Sequence, residues 1–209
     1  MSNYNPSGPG KEPMLLLDTT GSMNYGTSAT SKTPRRVTIQ EAISILVEAL
    51  AREDSEAEHE EGGGGLRTIT FANGLAQDLE DLNPRNLREK WNSIVWDGGT
   101  LIMPGWNKML QVYTEEFSAR PMAQRPKLLA LIITDGEARD FQAFAKAIRQ
   151  SAGTIYVALT IIGYGEEHER TLAAYQEAAA QNPGHVQVYS FGSQTDPQEI
   201  ARGLLQMIE

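Results

Sequence analysis

The chain of 209 residues carries 27 acidic against 18 basic side chains, a formal net charge of -9, and no cysteine. That balance argues against a nucleic-acid partner, whose phosphates need Lys and Arg to neutralise them. The missing thiols exclude disulfides, thiolate metal sites and a cysteine nucleophile. With 40% hydrophobic residues the chain can bury one sizeable core, so a single domain is expected over residues 13–209, behind a flexible Pro-, Gly- and Ser-rich tail over residues 1–12.

In chain order, Met14 to Leu17 is a short apolar run that reads as a strand buried on both faces. It ends abruptly in Asp18-Thr19-Thr20-Gly21-Ser22-Met23. The polar stretch Asn24 to Arg36 has no apolar periodicity and is expected to be a loop, with Lys32, Arg35 and Arg36 available to an acidic ligand. Thr38-Ile39-Gln40-Glu41 has capping-box spacing and predicts a helix running to Arg52. Six acids between Glu53 and Glu61, then Gly62 to Gly65, read as a solvated connector.

Leu66 to Ala72 alternates like a strand, and Asn73-Gly74 predicts a hairpin returning through Leu75 to Leu79 as an antiparallel edge. Asn83-Pro84 predicts a short helix to Ser93, and a longer one is expected from Leu101 to Phe117, with Pro104 in its first turn. Lys127 to Thr134 is a second fully apolar strand and also ends on an acid and a glycine, Asp135-Gly136. Helices over 140–151, 167–180 and 196–208 alternate with strands over 154–162 and 186–191. The resulting expectation is an α/β fold of the Rossmann-like, doubly wound kind: six strands, mostly parallel, one antiparallel edge strand, and helices on both faces.

In such sheets ligands gather beyond the carboxyl ends of the strands. Asp18, Thr20 and Ser22 follow one strand, Asp135 ends another, and Thr100 follows the Gly98-Gly99 turn, where it can also cap the helix behind it. If the two acid-ending strands are neighbours, two carboxylates and three hydroxyls share one rim. Oxygen donors of this kind suit hard divalent cations, and Mg²⁺ keeps several waters when bound. Each piece alone also fits a plain turn with a helix cap. Trp91 and Trp106 read as packing residues and Trp96 as a residue able to flank a partner, while His59, His168 and His185 lie away from the rim motifs in sequence.

Taken together these motifs resemble the von Willebrand factor A domains, whose metal-ion-dependent adhesion site begins with Asp-x-Ser-x-Ser after an apolar strand. Asp18-Thr19-Thr20-Gly21-Ser22 matches it with a threonine for the first serine, Gly98-Gly99-Thr100 looks like the threonine loop, and Ile133-Thr134-Asp135-Gly136 like the second acid. The resemblance runs from about Pro13 to Ile208. It implies that Thr20, Ser22 and Thr100 bind the metal directly and that Asp18 and Asp135 hold it largely through water, or directly according to state. It further implies Mg²⁺, with Mn²⁺ or Ca²⁺ as alternatives, and a protein partner whose acidic side chain completes the coordination.

The function expected is therefore a metal-dependent protein-binding module rather than an enzyme. A haloacid dehalogenase-like phosphohydrolase is the catalytic alternative, but it wants a second acid where Thr20 stands. A metal-independent structural adaptor is the third. The N-terminus lacks the basic start and apolar core of a secretory leader, and no run approaches the ~18 apolar residues of a membrane span. The location expected on those grounds is cytoplasmic.

Overall fold

The computed structural model describes residues 10–56, 65–151, 153–192 and 195–208. The elements run β1 (Lys11–Asp18), α1 (Arg35–Glu56), β2 (Leu66–Ala72), β3 (Leu75–Leu82), α2 (Leu87–Ser93), α3 (Met103–Phe117), β4 (Lys127–Thr134), α4 (Phe141–Gln150), β5 (Ile155–Ile162), α5 (Glu166–Ala180), β6 (Val186–Phe191) and α6 (Pro197–Ile208). The strands form one sheet in the order β3-β2-β1-β4-β5-β6. All pairings are parallel except that of β3 with β2.

Because successive side chains of a strand point to opposite faces, an unbroken apolar strand must be covered twice. Met14 and Leu16 of β1 join Leu128, Ala130 and Ile132 of β4 in one core, under Trp106, Phe144 and Tyr175 of α3, α4 and α5. Leu15 and Leu17 join Leu129, Leu131 and Ile133 in the other, under Ile43, Trp91 and Leu204 of α1, α2 and α6. α3 lies especially close to the sheet at Gly105, where a Cβ would stand 2.7 Å from Leu16 and 2.8 Å from Phe71.

The differences from the sequence expectation are local. β1 starts at Lys11, which faces Lys127 of β4 in register, so Lys11 and Glu12 belong to the strand and not to the tail. Pro13 is tolerated there because the pairing of β1 with β2 begins only at Met14. α1 begins at Arg35 and Thr38 lies inside it, so the capping box does not open the helix. A bridge between Gly26 and Pro34 and the Arg35 N–H bond to Tyr25 O, 2.8 Å, turn the chain into the helix earlier. The helix also continues through Glu56, into the stretch read as connector. Asn83 builds an Asx turn by accepting the N–H groups of Arg85 and Asn86, and α2 starts only at Leu87. The hairpin turn is as expected, with φ 52° at Asn73 and 76° at Gly74, but its returning strand continues past Leu79 to Leu82. The tail before Gly10 and the acidic and glycine run over 57–64, with His59, lie outside the described residues.

Glu12 shows a cost of this packing. Burial, then the charges of Glu116 and Asp81, push its carboxyl up to about 7. The folded chain therefore holds the Glu12 proton more tightly than the unfolded chain does. Stability falls as pH rises from the ordinary carboxylate range through that value. Glu12→Gln should unfold at a higher temperature than wild type at about pH 8, and the advantage should fade toward about pH 4; thermal melts at the two pH values check it.

Candidate functional site

β1 leads through α1 to β2 on one side, whereas β4 leads through α4 to β5 on the other. The order of strands thus reverses between β1 and β4, the place where open α/β sheets form a crevice at their carboxyl edge. Leu17 faces Ile133 in that pairing, so the strand ends at Asp18 and at Thr134-Asp135 stand side by side. Asp18, Thr20 and Asp135 are fully buried and Thr100 nearly so.

The Asp18 carboxylate is held from three directions. Oδ1 accepts the Thr20 N–H at 2.9 Å and the Thr20 hydroxyl at 2.6 Å, and Oδ2 accepts the Thr134 hydroxyl at 2.7 Å. The Thr20 oxygen is in turn the meeting point of the hydroxyls: Ser22 Oγ lies 3.1 Å from it, and the Thr100 hydroxyl donates to it at 3.1 Å. Four of the five sequence-derived candidates thus form one bonded cluster, and Asp135 stands at the adjoining strand end. Burial, followed by the charge of Asp135, pushes the Asp18 carboxyl up to about 7, against hydrogen bonds that favour its ionised form. A positive charge between the two acids would reverse that tendency.

Thr100 arrives from a separate loop that backbone bonds fix to the sheet. Gly21 N–H donates to Gly98 O at 3.1 Å and Asn73 N–H to Gly99 O at 2.8 Å. Gly98 has φ 83° and a Cβ there would stand 2.6 Å from Asn73 Cβ, so both conformation and space demand glycine. Thr100 does not cap α3, contrary to the alternative read from sequence. The cap is Asp140, whose two carboxylate oxygens each accept a backbone N–H, from Ile102 and Met103, both at 2.9 Å. The Arg139 N–H donates to Thr100 O at 3.1 Å and secures the same loop.

Three further residues belong to the site. Thr134 is buried and bonded to Asp18, and only the register reveals it. Arg35, read as a loop cation free to meet a ligand, turns inward: its Nη1 lies 3.0 Å from Asp135 Oδ2 and 3.1 Å from Glu137 Oε1. His168 is buried, with Nδ1 3.0 Å from Asp135 O, so one histidine does reach the rim's backbone. His185 instead packs against Tyr156. Trp91 and Trp106 are core residues as expected, and Trp96 packs on Trp91 at 5.0 Å beneath Arg36.

The donor set fits a hard cation. Three hydroxyl oxygens converge, two carboxylates stand behind them, and all are oxygen ligands. Among the described residues no group of three or more His, Asp or Glu stands together as a metal cage, so hydroxyls would have to make much of the coordination. Next to the cluster a groove of about 440 Å³ runs past Thr19, Asn73, Ile94, Val95 and Gly98, with Val95 and Leu75 largely exposed at its edge.

Neither a protein-family profile nor the sequence of a curated protein matches the chain. Solved structures do match in shape. The D319A mutant of the PilB minor pilin from Streptococcus sanguinis superposes with a TM-score of 0.67 at 11% identity, over 99% of this chain and 62% of the pilin, so the chain spans about three-fifths of that protein. The SpRpn10 VWA domain gives 0.57 at 12% identity over 95% of each chain. Manganese-loaded TRAP protein from Plasmodium vivax gives 0.59 at 16% identity, over 96% of this chain and 74% of that one. The fold is that of the von Willebrand factor A domains. The cytoplasmic expectation is corrected by the same comparison, since minor pilins and an aerotolerance-related membrane protein are built on this fold, and composition is no guide to the compartment.

Asp140→Ala would leave two N–H groups at the start of α3 without acceptors and loosen the loop bearing Thr100. A loss of about 1–2 kcal/mol in chemical denaturation is expected, and an unchanged midpoint would show that the cap contributes nothing.

Proposed function

We propose, for a chain with the von Willebrand factor A fold, that it is a protein-binding module whose carboxyl-edge site holds a divalent cation and presents it to an acidic side chain of the partner. The observation that carries this reading is the cluster in which the Ser22 and Thr100 hydroxyls meet the Thr20 oxygen beside two buried aspartates. Thr20, Ser22 and Thr100 would supply direct ligands, with Asp18 and Asp135 orienting them and bound water. A cation with mostly neutral direct ligands keeps a strong pull on an outside carboxylate, which is why the bound metal would serve recognition. The manganese in the TRAP neighbour supports a divalent cation, with Mg²⁺ as the first candidate and Mn²⁺ or Ca²⁺ as alternatives.

The groove beside the cluster supports contacts beyond the metal, with exposed Val95 and Leu75 available to apolar side chains of the partner. The pilin neighbours support a surface or extracellular setting. A phosphohydrolase reading is weaker, because Thr20 stands where a general acid is required and its hydroxyl already donates to Asp18.

Isothermal titration with MgCl₂ and MnCl₂ tests the reading. Wild type and Thr20→Ser, which keeps the hydroxyl, should give saturable heats, and Asp18→Ala and Thr20→Val should give none. Equal heats from all four proteins would end the metal hypothesis.

A further inference from the structure

Arg35 is the first residue of α1, yet its side chain is only 2% exposed. It passes inside the loop over 25–34, where Nε donates to Gly26 O at 3.2 Å and Nη1 to Ser22 O at 3.4 Å. The same Nη1 reaches Asp135 Oδ2 and Glu137 Oε1, and the Tyr164 ring covers the guanidinium at 5.6 Å. On the far side Nη2 borders Gly163, where a Cβ would stand 3.4 Å from it. A buried guanidinium is tolerated only when paired and hydrogen-bonded, and this one is.

The pairing changes what the site can do. With the Glu137 N–H donating to Oδ1 at 3.1 Å, both oxygens of Asp135 are engaged by the protein. Both oxygens of Asp18 are engaged as well, by Thr20 and Thr134. Each carboxylate oxygen of the pair thus has a protein donor before any cation arrives, and one fixed positive charge already lies against the second acid. Away from water such a charge is poorly screened by salt and repels an incoming cation strongly.

We propose that Arg35 is a built-in counter-cation of this site, which stabilises the metal-free protein by neutralising Asp135 and holds down its affinity for divalent cations. The inference rests on the metal-site reading above. It makes Arg35 a positioning residue: it leaves Asp135 to act through water on a cation bound mainly by hydroxyls. It also keeps occupancy dependent on the ambient concentration of the metal.

The test compares wild type, Arg35→Met and Arg35→Lys, by thermal unfolding in EDTA and by titration with MnCl₂. Arg35→Met should melt below wild type in EDTA, bind Mn²⁺ at least about tenfold more tightly, and recover stability as Mn²⁺ is added. Arg35→Lys, which keeps the charge, should stay close to the wild-type affinity. Arg35→Gln serves in the same scheme should the methionine variant not fold. If the uncharged variant, folded by circular dichroism, binds Mn²⁺ no more tightly than wild type does, the inference fails while the metal reading stands. If neither wild type nor the uncharged variant binds Mn²⁺, both fail.

Discussion

Two aspartates, Asp18 and Asp135, end neighbouring strands with no surface exposed to water, and an ionised carboxylate in such a place is costly unless donors and opposite charge surround it. Much of the carboxyl edge answers that demand. Thr20 and Thr134 supply hydrogen bonds to Asp18, while Arg35 and the Glu137 backbone supply them to Asp135. Burial, and then the charge of Asp135, still holds the Asp18 carboxyl up at about 7, and a positive charge placed between the two acids would lower it. The sheet order places this demand at the crevice between the parallel strands β1 and β4, from which the chain's crossovers lead off in opposite directions.

The surrounding structure fixes geometry rather than adding charge. The Gly98-Gly99-Thr100 loop is pinned by backbone bonds to the ends of β1 and β2, so the Thr100 hydroxyl reaches Thr20 without a long flexible side chain. Asp140 caps α3 just behind it, and His168 braces the backbone of Asp135. Sites assembled on strand ends with such bracing hold their ligands in place with little reorganisation. The result is a compact oxygen cluster beside a groove with apolar edges.

Much of this was legible in the residues. The apolar runs 14–17 and 127–134 mark the central strands and Asn73-Gly74 the antiparallel edge, and the polar stretches at 18–22, 98–100 and 135–136 mark the residues that the fold brings to one rim. What stayed hidden depends on contacts distant in sequence. Thr134 reads as the last residue of a strand, and only its register with β1 makes it a partner of Asp18. Arg35 and Arg36 are adjacent and chemically alike in sequence, yet one is sealed against Asp135 and the other lies over Trp96. The capping box at Thr38 failed because the chain is tied into the helix at Tyr25 and Pro34, upstream of the local signal. Asp140 was visible as an acid before a helix, but the helix it caps is not its own.

The proposed cation would sit among the three hydroxyls with the aspartates behind it. Anomalous diffraction from crystals grown with MnCl₂ tests it most directly. A single strong manganese peak is expected within bonding distance of Thr20 Oγ1, Ser22 Oγ and Thr100 Oγ1. Manganese found only elsewhere, or no ordered manganese at concentrations that saturate the protein in solution, would contradict it.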